Sequence, residues 1–393
     1  MKAGNDIAKI LARTHFWSRN FYKLHPKNYD KRISQVDFLP TVFKGVIGLF
    51  LSPARSKHAR YLYVLEGTRN LPYLHNVSNS SIALLGSWSE RKIARDSGFG
   101  FYWAFPIVSA VELASRYRIT LFLALQLKAW FAFIRSNQSL FILTYEDTQP
   151  LGAFLSQASK SKLSTGCSYA ICIQHGFFTK TQIGLAIDGS FTRYNFIWDP
   201  GQANIIKCDR STAYVIGPPV TTICDSQAIT QIVLVGSGTN ESGSDDYDSL
   251  LSFFSSVYSL LPLAIRSRVF YRPHPNECSS RELLKRLEAL FGSIDLRTKL
   301  NCLSSSRSIF IGSVSSLLYE AEYCGHISIA ISGISKYEEL AFQPSYQYSR
   351  NDIELVSSKI IQLINNQGKS SHRFSFPAYS FESAIMDIAS VTN

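Results

Sequence analysis

Short apolar runs ending in glycine, proline or acidic tips recur along this chain, and they leave few folds open to it. "RYLYVLEG", "SIALLGSW", "LFILTYED", "YAICIQHG", "NFIWDPG" and "AYVIGPP" read as strands. Between them, "FPIVSAVELASRYRITLFLALQLKAWFAFI" and "GAFLSQASKSK" carry apolar residues at three- and four-residue steps and read as helices. "VIGPP" (Val215–Pro219) punctuates the chain, and the pattern restarts. Strands "QIVLVGSGTNESGS", "RVFYRPHPNE", "SIFIGS" and "ISIAIS" then alternate with helices "DYDSLLSFFSSVYSLLP", "SRELLKRLEALFG" and "VSSLLYEAEYCG". Such alternation implies parallel sheets with helices on both faces. The expected fold is α/β: two doubly wound domains on a short Gly-Pro hinge, with ligands at the strands' carboxyl ends and in an interdomain cleft.

At 393 residues the chain suffices for two domains with ample core. The formal charge of +11 is unevenly placed: residues 1–70 hold 13 Lys or Arg against 4 Asp or Glu, an excess of nine. Such a block favours a polyanion, nucleic acid or an anionic membrane face, unless it is a solvated helical arm. No recognisable nucleic-acid module accompanies it, so nucleic acid is not expected as a partner. The apolar stretches "FLPTVFKGVIGLFLSPAR" and "ITLFLALQLKAWFAFIRS" are broken by Lys44 and Lys128 and fall short of a membrane span. The start "MKAGNDIAKILARTHFW" lacks the apolar core of a signal peptide. Seven cysteines without a C-x-x-C pair read as thiols of a reducing cytosol. The expected location is cytoplasmic, peripheral at the inner face of the cytoplasmic membrane.

The polar residues just past each apolar run are the candidate site. In the first half these are Glu66-Gly67, Glu146-Asp147 and Gln174-His175-Gly176. In the second they are "GSGTN" (Gly236–Asn240), "YRPHPNE" (Tyr271–Glu277) and "GSVSS" (Gly312–Ser316). Proline fixes φ and donates no N–H, so the strand before "RPHP" must stop. The stiff loop that follows presents Arg272 and His274 to an anionic ligand. In "GSVSS" the serines open a helix, where they either cap it or, with the free N–H groups, hold phosphate. "VGSGTNESG" departs from the dinucleotide fingerprint at Glu241. Its glycine turn, Gly238 included, is either a place where a nucleotide approaches the backbone or a plain loop. No His, Cys or Asp cluster has metal-ligand spacing and "YEDTQP" lacks D-x-D, so neither a metal nor a cofactor is expected.

"RPHP", with Ser315 standing 41 residues beyond His274, resembles the HP and serine motifs of bacterial sialyltransferases and polysialyltransferases of the GT-B fold. Kdo transferases show a similar arrangement. The acid-bearing strand end, helix and "QHG" segment resembles surface-polysaccharide transferases. Teichoic-acid glycerophosphotransferases share a related HG loop, an HP-type loop and a later "SS". The resemblance covers about residues 140–325. It implies a GT-B-like fold of two Rossmann-like domains: an acceptor domain at 60–217 and a nucleotide-donor domain at 218–393, after a basic arm at 1–59. It implies that His274 contacts the phosphate of a cytidine-nucleotide donor and helps CMP leave, with Ser315 and Ser316 on the same phosphate. Arg272 joins them on charge grounds.

The family's D/E-D/E-G base motif is split here: "YED" has the acids without the glycine, and "LEG" one acid with it. The base therefore stays open among Glu146, Asp147, His175 and Glu66. The expected activity is a metal-independent inverting glycosyltransferase of bacterial surface polysaccharide synthesis, capsule or lipopolysaccharide. Its substrates would be a CMP-activated acidic sugar of sialic acid or Kdo type and a glycan or glycolipid acceptor, and its partner an anionic membrane surface. The alternatives are a CDP-glycerol-dependent glycerophosphotransferase-like enzyme, a nucleotide-sugar 2-epimerase of similar fold, and a non-catalytic GT-B-fold protein of polysaccharide assembly.

Overall fold

The computed structural model describes residues 38–50, 62–67, 71–74, 81–85, 88–117, 119–135, 139–145, 150–160, 167–174, 192, 194–205, 212–219, 224, 228–237, 244–275, 277–296, 306–313, 315–334, 342–366 and 379–390. Backbone contacts divide the chain into two units: one runs to His175, resumes for Ile183–Pro219 and takes back Pro377–Asn393, and the other is built on Val220–Phe376. The expected boundary between residues 217 and 218 therefore falls two residues from the observed one.

In the first unit, α1 (Phe38–Phe50) precedes a seven-stranded sheet. Its strands are β1 (Leu62–Glu66), β2 (Ser81–Leu85), β3 (Gly100–Trp103), β4 (Ser139–Thr144), β5 (Cys167–Ile173), β6 (Tyr194–Ile197) and β7 (Thr212–Val215). They lie in the order β3-β2-β1-β4-β5-β6-β7, all parallel. Alternation along each strand supplies two cores. Val64 and Ile142 face a cluster with α3 (Phe105–Tyr117), α4 (Leu121–Arg135) and α5 (Pro150–Lys160). Tyr63, Leu65, Phe141 and Leu143 face the other, which includes Ala94 of α2 (Trp88–Asp96). Burial on both faces demands the near-continuous apolar runs read as strands in the sequence. The short α6 (Pro200–Ile205) follows β6.

Two expectations need correction here. The single helical run over 105–134 is two helices, α3 and α4, with the second starting where Ala124 N–H donates to Thr120 C=O (2.9 Å). The arm at 1–59 is not wholly separate, because α1 lies on α3 and α4 within the first unit. Gly45 makes that approach feasible: a Cβ there would stand 3.1 Å from Leu113 and 3.8 Å from Phe122. Residues 1–37 and 51–59 of the arm lie outside the described residues.

The second unit's sheet comprises β8 (Ile229–Val235), β9 (Val269–Arg272), β10 (Arg307–Gly312), β11 (Ile327–Ser332) and β12 (Tyr346–Ser349). These are parallel in the order β12-β11-β10-β8-β9. Its helices are α7 (Ser244–Leu260), α8 (Leu263–Arg266), α9 (Arg281–Phe291), α10 (Ser316–Tyr323) and α11 (Ile353–Asn365). Ile232, Leu234, Ile309 and Ile311 pack with Phe254 of α7 and Val356 of α11. Val233, Val235 and Phe310 pack with Leu318 and Ala321 of α10. Ser280 caps α9 by accepting from Leu283 N–H, and Gly292, at φ 72°, ends it.

The expectation that 218–393 is one domain is also corrected: α12 (Phe381–Ser390) belongs to the first unit. Phe381, Ala384, Ile385 and Ile388, at helical spacing, bury against the same core as Phe196 and Tyr214. Tyr214 O–H donates to Asp387 (2.7 Å) and fixes the helix's rotation. Phe381→Ala should therefore destabilise the protein by about 3–5 kcal/mol, read from the urea midpoint. An unchanged midpoint would contradict the docking of α12.

Candidate active site

In each sheet the strand order reverses once, between β1 and β4 in the first and between β8 and β10 in the second. Connections leaving two such neighbours run to opposite faces, and a crevice opens at the carboxyl edge between them, where ligands of open α/β sheets bind. Several predicted residues stand at these edges. Glu66 ends β1, Gly236 follows β8, Ser313, Ser315 and Ser316 follow β10, and His274 lies two residues past β9.

At the first unit's reversal, Glu66 is 2% exposed and its Oε2 accepts from Tyr145 N–H at 3.3 Å. The carboxylate so ties the ends of β1 and β4 together. Gly67 follows at φ 65°, where a side chain is strained, and a Cβ there would come within 2.8 Å of Glu90 Oε1. The "EG" pair thus has a backbone reason, and Glu90 at the start of α2 is a second carboxylate at this edge that the sequence reading missed. Gln174 acts as a latch: its amide N–H donates to Phe196 C=O (2.9 Å), its Oε1 accepts from Trp198 N–H (2.7 Å) and its Nε2 donates to Gln202 Oε1 (2.8 Å). Glu146, Asp147 and His175 lie outside the described residues.

The second unit's edge is organised by the last residue of the "YRPHPNE" stretch, to which sequence reasoning assigned no role. Glu277 is fully buried, and its Oε2 accepts from Tyr271 O–H (3.1 Å) and His274 N–H (3.2 Å). In return, His274 C=O accepts from Glu277 N–H (2.8 Å), which closes the "HPNE" turn. The same carboxylate presses on Gly236: a Cβ there would lie 2.6 and 2.7 Å from its oxygens and 2.8 Å from Tyr271 Oη. One buried charge therefore sets the β8 loop against the β9 loop. Burial first, then Glu277, pushes the Tyr271 phenol far above its usual range, so it stays a donor. Gly238 lies outside the described residues.

Arg272, expected to meet the donor's phosphate, ends β9 and has Asp295 beside it. The guanidinium is buried, with one terminal nitrogen 3.8 Å from Asp295 Oδ2. A buried cation requires a counter-charge, and Asp295 supplies it within the protein. The other residues of the expected anion site are His274 and the "GSVSS" turn. There, Ser315 is the N-cap of α10 and its Oγ accepts from Leu317 N–H (3.3 Å). Ser316 opens the helix. Glu322 anchors α10 by accepting from Ser328 N–H (3.1 Å), Ser328 O–H (2.8 Å), Ser345 N–H (2.5 Å) and the Ser345 hydroxyl.

Glu320, one turn beyond Ser316, behaves differently. Although the residue is part-exposed, the protein packed around its carboxyl group pushes its pKa up to about 7, only partly countered by Arg272. The i, i+4 spacing of Ser316 and Glu320 on a helix opening at a strand tip was a readable signal for it. An acceptor beside N–H and O–H donors suits a ligand that carries both phosphate and hydroxyl groups. Among the described residues, no three His, Cys, Asp or Glu side chains are grouped as a metal ion would require.

No protein-family model matches the chain, and no curated protein matches its sequence. Solved structures do. A Listeria monocytogenes protein assigned as a UDP-N-acetylglucosamine 2-epimerase is similar at a TM-score of 0.54 and 12% identity, over 86% of this chain and 96% of that one. The Methanocaldococcus jannaschii UDP-GlcNAc 2-epimerase, in complex with UDP-GlcNAc and UDP, has a TM-score of 0.48 and 11% identity, over 84% and 99%. Anabaena HepE in complex with UDP has 0.48 and 10%, over 79% and 92%. The chain has the two-domain, GT-B-like α/β fold.

Two predictions test this geometry. Gly236→Ala forces a methyl group onto the Glu277 carboxylate and should cost about 1–3 kcal/mol of stability, measured by urea unfolding. A fully stable variant would show that Glu277 does not hold the β8 loop. Glu320 binds its proton more tightly folded (about 7) than at its ordinary 4.5. Its contribution to stability is complete below about pH 4.5 and is lost as pH rises through 7. Glu320→Gln should therefore melt above the wild type at pH 8, with the gap closing towards pH 5. A gap independent of pH would mean that Glu320 has an ordinary pKa.

Proposed function

We propose that the protein is a glycosyltransferase of bacterial surface polysaccharide synthesis that draws on a nucleotide-activated sugar. The observation that carries this reading is the second unit's β8–β10 reversal, edged by the Gly236 turn, the Pro-framed His274 and the opening of α10. The helix's first N–H groups, the Ser316 hydroxyl and the His274 imidazole would receive the phosphate, and Glu320 would accept from the nucleotide's hydroxyls. A CMP-activated acidic sugar is the donor that the HP and serine motifs favour.

In a single displacement, an acceptor hydroxyl forms a bond to the anomeric carbon. The bond from that carbon to the phosphate oxygen breaks with its electron pair, and CMP leaves with inversion at the sugar. The acceptor's proton passes to a base. Glu66, at the β1–β4 reversal of the first unit, is the candidate among the described residues; Glu146, Asp147 and His175 remain candidates from the sequence. Charge growing on the departing phosphate is met by His274 and the α10 amides, fixed in place by Glu277 and Glu322. The acceptor would be a glycan or glycolipid at an anionic membrane surface.

A second reading shares the nucleotide site. The Listeria protein is assigned as a 2-epimerase, and in that case the sugar would be isomerised instead of transferred. Incubation with CMP-, CDP- and UDP-activated donors, with and without a glycan acceptor, separates the two. Acceptor-dependent release of CMP is expected, and His274→Ala should slow it roughly 10²–10³-fold. Epimerised nucleotide sugar without release would favour the second reading, and release of CMP at wild-type rate by His274→Ala would remove that histidine from the mechanism.

A further inference from the structure

We infer that the first unit meets anionic lipid through a preformed face built from α1 and α4. This deepens the membrane reading above, from a charged segment to a defined surface, and it rests on that reading. The inner side of α1 is accounted for: Thr41 is buried, and Gly45 is pressed towards Leu113 and Phe122. Its outer side is apolar. Leu39 is 73% exposed, Phe43 66% and Val46 39%, and their i, i+4, i+7 spacing sets them in one stripe. Leu121, next in sequence to the Phe122 that Gly45 approaches, is 63% exposed at the start of α4. A surface helix of a monomer ordinarily turns such residues inward.

Charge identifies the occupant. Lys44 on α1 and Lys128 on α4 are exposed, and neither helix contains an Asp or Glu. Lys128 stands seven residues, two turns, beyond Leu121. The first 70 residues, Lys44 among them, carry an excess of nine positive charges. A second copy docking on this face would set lysine against lysine. An anionic bilayer instead accepts both features, the side chains at the acyl boundary and the ammonium groups at the headgroups. A 13-residue helix is about 20 Å long, too short to span the bilayer, so α1 would lie in its plane. Among the described residues, no helix is long and apolar enough to cross a membrane.

The test is co-sedimentation of the full chain with vesicles of phosphatidylcholine alone and of phosphatidylcholine with phosphatidylglycerol, at low and high salt. Leu39→Gln/Phe43→Gln/Leu121→Gln should lower partition into the anionic vesicles by about tenfold or more, with the melting temperature and CMP affinity unchanged. Lys44→Glu/Lys128→Glu should do the same at low salt, and it carries the test if the triple variant fails to fold. Wild-type binding retained by both variants would overturn the face while leaving the membrane reading to the rest of the basic segment. No binding by the wild type to either vesicle would overturn both. A wild-type dimer that the triple variant converts to monomer in light scattering, without lipid binding, would assign the face to a second copy and overturn the inference.

Discussion

Parallel strands cannot be joined by tight turns, so every connection within either sheet must cross a face and return. Both faces are thereby covered and the strands buried, and the loops leaving the strands' carboxyl ends are where polar side chains can gather. Each sheet reverses its order once, at β1–β4 and at β8–β10, and the two crevices so created dictate which loops count. Glu66 is at one. Gly236 and the serines of α10 are at the other, with His274 one strand away. The placement of the candidate chemistry thus follows from strand pairing before any side chain is considered.

Buried carboxylates then do two kinds of work. Glu66, Glu277 and Glu322 each accept backbone N–H groups, from Tyr145, from His274 and from Ser328 and Ser345 respectively, and each ties a loop to a strand end. A buried charge without donors would be strongly unfavourable, so these bonds give each loop one stable arrangement. Glu320 receives no such donor among the described residues, and its pKa rises accordingly. In the second unit, that contrast separates Glu277 and Glu322, committed to the fold, from Glu320, open to a ligand.

Much of this was legible in the sequence. Apolar runs such as "YVLE" and "RSIFIG" are buried on both faces and declare themselves, as does the Gly-Pro hinge near residue 217. The four-residue strands "GFYW" and "YQYS" escaped notice because edge strands need less apolar sequence. The return of α12 to the first unit was not readable, since periodicity shows that a helix has an apolar face without showing which core takes it. Among site residues, His274 was marked by its prolines and Ser315 by its position. Glu277 was hidden because nothing local distinguishes a buried loop glutamate from a solvated one. Asp295 beside Arg272 was hidden for the related reason that it lies 23 residues away in the chain.

A nucleotide held at the β8–β10 reversal is the claim on which the functional reading depends. The crystal structure of the chain soaked with CMP tests it directly. The phosphate is expected within hydrogen-bond reach of the Ser316 hydroxyl, the α10 amides and His274, with the ribose hydroxyls on Glu320. A nucleotide bound instead at the β1–β4 edge of the first unit, or none bound at saturating concentration, would contradict it.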